Sequence, residues 1–501
     1  MSEAPIVPMG SPAATPAQTV TRNAFHLVLG QIVSVALGMG VSALLGRTLG
    51  AADFGLFYLA TTFTSFAYVL VDWGQGAYLV REVAHQHASA GRFLGSALLL
   101  RFAGAVLMTG VAALLTSVLG YDDRKQAVIV LMLATYLPLS CGQAVSFIFR
   151  SHERMDLDAT TNAVAAALSA LMLVPVLLLG GGIFAVVLAE GAGYALTFIV
   201  YWALLRRLKI GSIRPDKATL HELLTNGATF VSLQLLVSAQ PYLDATLLSK
   251  LAPADAVGWY GAGARFGGTL LIPATVLGSA LYPRLSRLFG SDLPGYTATV
   301  RAGLRPLLAM GAFVAVGTWL FAGLAVGIVF GREKYAPAVA VLQAIAPLIM
   351  LCFVNMLFGA ALTAARLQGR LVPAKLVAVA VAAGLDALLI PIFQSRYGNG
   401  GLGVAIASSG SELTMLLIGL QLLPKNIVDR AAIKQIALAT FIAVASVGAA
   451  EAAALLVHPY LKIPAGLGTF GLLSLVLGLV SGADLALVRD ALRSKQQRRP
   501  A

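Results

Sequence analysis

Two arginines, Arg101 and Arg265, lie inside long apolar stretches of the chain. A guanidinium stays charged at any physiological pH, so inside a membrane it needs a carboxylate, water or an anionic ligand. Acids occur at similar predicted depth on neighbouring stretches, Asp72 for Arg101 and Asp244 for Arg265. Two interpretations stay open: buried ion pairs that hold helices together, or a basic lining for an anionic substrate with the acid as tuning partner or coupling-proton site.

Four further polar residues are candidates inside the apolar stretches. Asp386 and Glu412 sit deep enough to titrate during ion coupling, or to be protonated or hydrogen-bonded in place. We rank both below Asp244 as coupling sites. Gln31 and Gln234 occupy similar mid-stretch positions, where an amide either bonds a neighbouring helix or contacts a sugar.

These stretches belong to an internal repeat. The segment Asn23–Arg81 aligns without a gap with Asn226–Arg284 at an offset of 203 positions. The alignment contains 11 identities in 59 positions, where a chain of this composition gives roughly five by chance. Gln31 falls on Gln234, and Gly55 falls on Gly258. Such duplication is typical of transporters built from two similar halves.

The composition places the chain in a membrane. Hydrophobic residues make up 58%, charged residues only 11%, and the mean hydropathy is +0.84. The two cysteines predict no disulfide framework and no metal site. The sequence contains no nucleotide-binding or metalloprotease motif, so we expect no cofactor and no metal. The net charge of +13 fits the positive-inside pattern of a multi-span protein rather than nucleic-acid binding.

The fold class that we predict is an all-α polytopic membrane protein with about 14 transmembrane helices. Apolar stretches long enough to span a bilayer define the expected spans, which cover residues 24–46, 55–79, 93–119, 127–149, 158–180, 183–205, 226–249, 257–281, 303–330, 338–364, 372–394, 401–423, 433–457 and 464–488. No connection exceeds about 20 residues. A soluble catalytic domain therefore has no room, and we expect no enzyme activity.

The basic residues set the expected orientation. With Lys375 counted among the loops, 25 Lys and Arg lie on the side of the N-terminus and 8 on the opposite side. Only Arg101 and Arg265 then remain within spans. The positive-inside rule places both termini in the cytoplasm of a multi-pass protein of the cytoplasmic (inner) membrane.

Six spans per repeat make both halves enter the membrane in the same direction, so we expect a pseudo-twofold axis along the membrane normal and a cavity between two lobes. The expected organisation is, in order, a disordered cytoplasmic tail at 1–22, an N-terminal six-helix lobe at 23–210, a C-terminal six-helix lobe at 220–424, two extra helices at 433–488 and a basic cytoplasmic tail at 489–501.

Several motifs in one order carry a family resemblance. LLGRTLGAADFGLFYLA at Leu44–Ala60 and DWGQGAYLVREVA at Asp72–Ala84 open the series, and FRSHERMDLDA, DATLLSKLAPADAVGWYGAGARF, LYPRLSRL and LIPIFQSRYGNGGLGVAIA follow. Together they resemble polysaccharide transporters, the Wzx-type oligosaccharide-lipid flippases of the multidrug/oligosaccharidyl-lipid/polysaccharide exporter superfamily. The resemblance covers nearly all of residues 23–425.

The resemblance implies two six-helix lobes facing each other as a V, plus two extra helices. It implies translocation of polyprenyl-pyrophosphate-linked oligosaccharide (an O-antigen, capsule or exopolysaccharide repeat unit) from the cytoplasmic to the outer leaflet by alternating access. A cationic cavity would receive the head group. Arg101 and Arg265 are the positions suited to that role, and Arg47 and Lys250 would line the outer mouth.

Partners and alternatives follow from the same resemblance. The expected partners are the polyprenyl-linked glycan, the lipid bilayer, H⁺ or Na⁺ as a coupling ion, and a glycan polymerase or glycosyltransferases, with no nucleic acid. An ion-coupled multidrug or organic-cation exporter of the same superfamily would share the fold but should present an acidic cavity. A transport-dead scaffold for glycan assembly remains a third reading.

Overall fold

The computed structural model describes residues 16–208, 210–424, 427 and 429–480, apart from the side chains of residues 16–34, 229, 230 and 233. The expectations for residues 1–15, for the basic tail 489–501 and for the side chain of Gln31 lie outside the described residues. The described residues are almost entirely helical and contain no strand.

Sixteen α-helices follow one another in the described residues. Their bounds are α1 Pro16–Asp72, α2 Gln75–His85, α3 Ala90–Val118, α4 Asp123–Thr135, α5 Leu137–Ser151, α6 Met155–Leu178, α7 Ile183–Leu205, α8 Lys217–Leu251, α9 Ala254–Leu270, α10 Ile272–Phe289, α11 Leu293–Val329, α12 Arg332–Ala364, α13 Gln368–Tyr397, α14 Gly400–Leu422, α15 Arg430–Leu456 and α16 Lys462–Val476. Within the part of the chain that the structure describes, eleven helices or helix pairs are long and apolar enough to cross a membrane. The prediction of an all-α polytopic membrane protein is confirmed.

The start of α1 differs from the expected disordered tail. The helix begins at Pro16, so the last part of segment 1–22 is helical. Proline is favoured in the first turn, where its missing N–H has no partner to lose. Extending an existing helix fixes one residue per added hydrogen bond and avoids the cost of a new nucleus.

Helix breaks occur where the sequence predicted continuous spans. Trp73 and Gly74, both at positive φ, separate α1 from α2, Tyr136 separates α4 from α5, and Leu271 separates α9 from α10 just before Pro273. Irregular backbone at membrane depth is tolerated where it borders protein or a cavity. All three breaks lie beside cavities described below.

We name the two membrane faces by the connections they hold. The basic face holds the α2–α3, α5–α6, α7–α8 and α10–α11 connections, and the opposite face holds α3–α4, α6–α7, α8–α9 and α11–α12. We keep lobe one and lobe two as names for residues 23–210 and 220–424.

Two glycines that the repeat matches are in close contact near the opposite face. A Cβ placed on Gly55 would lie 2.7 Å from the Ala254 carbonyl oxygen and from the Gly258 nitrogen, and a Cβ on Gly258 would overlap the Ala51 carbonyl oxygen. Gly55 and Gly258 are matched by the 203-residue offset, as are Ala51 and Ala254. Helices α1 and α9 therefore touch at positions that the offset matches, and only glycine permits an approach this close.

Candidate functional site

Arg101 is committed to other protein groups. Its side chain is 1% exposed and forms an ion pair with Asp72, while Nη1 donates to the Ser140 carbonyl (2.8 Å) and hydroxyl (2.7 Å). The guanidinium thereby fastens α3 to the end of α1 and to α5. Of the two interpretations of Arg101, this structure shows the buried ion pair, and the cation is not presented to a cavity.

Arg265 is in a different environment. It lines a cavity of about 470 Å³, the lobe-two cavity, in which residues of α1 face α9 and the start of α10. Its Nε, like that of Arg101, has no hydrogen-bond partner among the described residues. Unlike Arg101, it has no carboxylate of those residues within 4.0 Å to form an ion pair. The other lining residues are small or apolar: Val35, Gly38, Met39, Ser42, Ala264, Gly268, Thr269 and Ile272.

The expected pairing of Arg265 with Asp244 is wrong in this structure. Asp244 Oδ2 accepts hydrogen bonds from the Tyr260 hydroxyl (3.3 Å) and the Ser408 hydroxyl (3.2 Å), and its carboxyl lies beside that of Asp386. Equal depth did not decide the contact, because Asp244 faces α13 and α14 whereas Arg265 on α9 faces α1. Glu190 of α7 interacts electrostatically with Arg265 but forms no ion pair with it.

Glu190 is itself only half satisfied. Its Oε1 accepts a hydrogen bond from the Tyr194 hydroxyl (2.7 Å), and its Oε2 has no partner among the described residues. Arg265 of lobe two and Glu190 of lobe one therefore each keep an atom with no hydrogen-bond partner among the described residues. Buried polar atoms are usually paired, so Arg265, which lines the lobe-two cavity without an ion-pair partner among the described residues, is suited to bind a polar ligand there.

Lobe two also buries a cation that the sequence count assigned to a loop. Lys375 of α13 is buried, and its Nζ donates to Gln240 Oε1 (2.9 Å) and to Glu412 Oε1 (3.2 Å). Asn355 Nδ2 donates to Glu412 Oε2 at 2.7 Å. Glu412 is thus hydrogen-bonded in place. Lys375 lies between apolar residues in LVPAKLVAVA, a signal that could have marked it as a residue within a span.

Arg47 and Lys250, which the resemblance placed at the outer mouth, form a matched pair of contacts between the lobes. Arg47 Nε donates to the Val329 carbonyl (2.9 Å) and Nη2 to the Ile328 carbonyl, at the C-terminal end of α11. Lys250 Nζ donates to the Leu119 carbonyl at the C-terminal end of α3. A cation at a helix C-terminus satisfies free carbonyls and complements the helix dipole. We call these two contacts the latches.

Two tyrosines extend the latches with the same symmetry. The Tyr121 hydroxyl lies 2.6 Å from Ser249 Oγ, and the Tyr335 hydroxyl donates to the Gly46 carbonyl at 3.2 Å. Gly46 and Ser249 are matched by the 203-residue offset. Each lobe therefore holds the end of the other lobe's first span, which in α1 is the kink at Gly50 (φ 79°). The opposite face is closed in this structure.

A second cavity, of about 600 Å³, joins lobe one to α8 in the half of the molecule nearer the basic face. We call it the lobe-one cavity. Gln234 lines it, together with neutral polar residues and aromatic rings that include Ser65, Tyr68, Tyr136, Gln143, Ser146, Phe147, Asn162, Tyr201 and Ser238. Its charged lining residues are paired, Asp72 with Arg101 and Arg150 with Asp158 (2.9 Å).

The two cavities occupy repeat-related positions. Ser65, Val69 and Ser238 line the lobe-one cavity, and the residues matched to them by the offset, Gly268, Ile272 and Val35, line the lobe-two cavity. Each cavity is therefore formed by the first span of one lobe against the second span of the other. The offset matches Arg265 with Thr62, so a cation at this position is present in only one of them.

Comparison with known proteins agrees with this architecture. The family model for polysaccharide biosynthesis proteins matches residues 20–289, more than half of the chain. No curated protein matches. The structure resembles the lipid II flippase MurJ in an inward closed conformation, with a TM-score of 0.66, 11% identity, and coverage of 90% of this chain and 98% of that one.

Two further solved structures share the fold. An inward-facing multidrug resistance MATE family transporter of the MOP superfamily matches with a TM-score of 0.64 and 14% identity, covering 84% of this chain and 99% of that one. A MOP superfamily transporter from Pyrococcus furiosus, whose title describes a binding pocket of reverse polarity, matches with a TM-score of 0.57 and 13% identity, covering 81% and 96%. The chain belongs to the polysaccharide biosynthesis protein family and has the fold of the MOP superfamily of transporters and flippases.

Proposed function

We propose that this protein is a flippase that moves polyprenyl-pyrophosphate-linked oligosaccharide from the cytoplasmic to the outer leaflet of the inner membrane by alternating access. The observation that carries the proposal is Arg265, a cation without an ion-pair partner among the described residues, in a cavity between the lobes. The pyrophosphate of a lipid-linked sugar carries two negative charges, and a guanidinium binds phosphate oxygens well. The family membership supports a lipid-linked glycan as its carrier.

The physical need for such a cavity is clear. A sugar head with a pyrophosphate loses its hydration in hydrocarbon and cannot cross unaided, because each buried polar group without a hydrogen bond costs several kcal/mol, roughly 2–7. A polar cavity between the lobes replaces water for the head group. The polyprenyl tail stays in the lipid.

The closed opposite face supports a direction of transport. If the basic face is cytoplasmic, as the positive-inside rule predicts, the latches and the Gly55–Gly258 contact close the outer side. Substrate then enters from the cytoplasmic leaflet, and binding favours the lobe arrangement that it contacts best. Opening to the outside requires both latches to break.

Asp244 and Asp386 are the proposed coupling site. Neither carboxyl oxygen of Asp386 accepts a hydrogen bond from a described residue, and the two carboxyl groups lie side by side within α8 and α13. Adjacent buried carboxylates repel each other unless a proton or a cation lies between them. We expect Asp386→Asn to abolish the dependence of transport on an imposed H⁺ or Na⁺ gradient while substrate binding remains. Gradient-dependent transport by Asp386→Asn at the wild-type rate would refute this role.

Two alternatives use the same fold. A multidrug or organic-cation exporter would place its acids toward the substrate, whereas Arg265 lines the lobe-two cavity and Glu412 is bonded to Lys375. A transport-dead scaffold would tolerate loss of Arg265. We propose no enzyme activity, and glycosyltransferases or a polymerase as functional partners.

The proposal is tested in a deletion strain of an organism whose surface polysaccharide depends on this gene, complemented with each variant. We expect Arg265→Ala to reduce surface polysaccharide by about tenfold or more, because a charge-assisted hydrogen bond is worth about 1.5–3 kcal/mol. Arg396→Ala, which removes an exposed arginine on the opposite face, is the matched control. Full export by Arg265→Ala at normal protein level would refute the assigned site and favour the scaffold.

A further inference from the structure

The lobe-one cavity has no partner-free cation, yet it is rich in neutral hydrogen-bonding groups. Gln143, Asn162 and Gln234 supply amides, and Ser65, Ser146 and Ser238 supply hydroxyls. Planar amides and hydroxyls donate and accept at once, as sugar hydroxyls do. The volume of about 600 Å³ lies within the range of small-molecule sites.

Aromatic rings border the same space. The guanidinium groups of Arg101 and Arg150 lie 5.9 Å and 5.7 Å from the ring centroid of Phe147. Tyr136 packs on Tyr68 with ring centroids 4.5 Å apart. Because these contacts already fix the positions of the rings, the rings lose little conformational freedom when a ligand binds against them. A pyranose, which has polar edges and apolar C–H faces, matches a lining of amides and aromatic rings.

The charges around this cavity are neutralised within the protein. Asp72 is occupied by Arg101, and the fully buried Asp158 is held by Arg150 and by the Ser146 hydroxyl. An acidic sugar entering the cavity would meet the carboxylate of Asp72 on its wall, and the one arginine in the lining, Arg150, is already paired with Asp158. Desolvating its carboxylate without a partner is costly.

We propose, on the basis of the proposed function, that the two repeat-related cavities bind different parts of one substrate. The lobe-two cavity binds the pyrophosphate through Arg265, and the lobe-one cavity binds the sugar portion and selects uncharged over acidic sugars. The duplicated frame supplies two cavities at matched positions, and they differ because Arg265 has no ion-pair partner among the described residues whereas Arg150 is paired with Asp158.

The test measures binding of three probes to the full-length protein in lipid nanodiscs. The probes are a polyprenyl pyrophosphate, its N-acetylglucosamine conjugate and its glucuronic acid conjugate. For the wild type we expect the N-acetylglucosamine conjugate to bind about tenfold more tightly than the bare probe, since one or two hydrogen bonds to a sugar are gained. The glucuronic acid conjugate should bind no better than the bare probe.

The variants separate the two cavities. Gln143→Ala with Gln234→Ala should lower the affinity for the N-acetylglucosamine conjugate about tenfold and leave that for the bare probe within about twofold. Arg265→Ala should weaken all three probes. Gln126→Ala is the matched control, because its amide bonds the Ala113 carbonyl near the opposite face, away from the cavity.

A charge variant tests the selection. Asp158→Asn leaves Arg150 without its carboxylate and should raise the affinity for the glucuronic acid conjugate about tenfold relative to the N-acetylglucosamine conjugate. Asp72→Asn is a second variant of the same kind, for use if the first does not fold.

The outcomes are distinct. The inference would be overturned if the wild type bound the bare probe and the N-acetylglucosamine conjugate equally well, or bound the acidic conjugate more tightly. The proposed function would still stand if binding of the bare probe depended on Arg265. Binding of none of the three probes would overturn the proposed function and this inference with it.

Discussion

The two cavities share a frame and differ in charge. Both form where the first span of one lobe meets the second span of the other, and matched positions line both. In the lobe-one cavity the wall charges are paired inside the protein, whereas in the lobe-two cavity Arg265 has no ion-pair partner among the described residues. A buried charge that is paired belongs to the structure, and one left unpaired is available to a ligand.

The closed face shows the opposite relationship. Arg47 and Lys250, Gly55 and Gly258, and Gly46 and Ser249 are matched pairs that make equivalent contacts in both lobes. The matched positions therefore make equivalent contacts where the lobes meet at the opposite face, whereas Arg265, matched with Thr62, has no counterpart in lobe one. That contrast leads to three predictions, from the largest expected effect to the smallest.

The largest effect is expected from breaking the charge pair of lobe one. Arg101→Ala leaves Asp72 without its cation and should lower the free energy of unfolding by about 3–5 kcal/mol. Arg265→Ala breaks no ion pair in the described structure and should leave that free energy within about 0.5 kcal/mol. Chemical unfolding of both variants in the same detergent makes the comparison. Equal destabilisation of the two variants would show that Arg265 is also structural.

An intermediate effect is expected at the contact between α1 and α9. Gly258→Val places a side chain against the Ala51 carbonyl oxygen and should destabilise the closed arrangement by about 1–3 kcal/mol. Limited proteolysis at the opposite face measures the change. Gly448→Ala is the control, because a Cβ there meets nothing within 4 Å. A closed face unaffected by Gly258→Val would contradict the contact.

The smallest effect is expected from each latch taken alone. Arg47→Ala and Lys250→Ala should each weaken closure by about 1 kcal/mol, and the double variant by the sum, because the two sites share no partner. The readout is labelling of a cysteine introduced at Ser42, in the lobe-two cavity, by an impermeant maleimide applied from outside. The background carries Cys141→Ser and Cys352→Ser. Labelling of the double variant at the wild-type rate would refute the latches.

Much of the fold could be predicted from the sequence, and its parts were predictable for different reasons. Membrane spans can be predicted from long apolar stretches, because every residue that faces hydrocarbon must be apolar and every backbone group there must be hydrogen-bonded within the protein. The repeat was found in a few matched residues, and it aligned Gly55 with Gly258 without predicting that the two glycines touch. The breaks at Trp73, Tyr136 and Leu271 were missed, because neighbouring helices satisfy the freed backbone groups and the apolar pattern continues through them.

The site was harder to predict because depth in the membrane does not fix direction. Asp244 and Arg265 lie at similar depth but on helix faces that point to different neighbours. The pairing of Arg101 with Asp72 was one of two readings left open, and tertiary contacts decided it. Lys375 was assigned to a loop although apolar residues flank it, and its bonds to Gln240 and Glu412 depend on three helices that the sequence does not bring together.

The central claim is that Arg265 binds the pyrophosphate of a lipid-linked glycan during its transfer across the membrane. The direct measurement uses proteoliposomes containing a radiolabelled polyprenyl-pyrophosphate-linked N-acetylglucosamine and a lectin that captures only the conjugate exposed outside. We expect the wild type and Arg396→Ala to transfer the probe and Arg265→Ala to transfer it at least about tenfold more slowly, with Arg265→Lys between them. Transfer by Arg265→Ala at the wild-type rate, or no transfer by the wild type, would contradict the account.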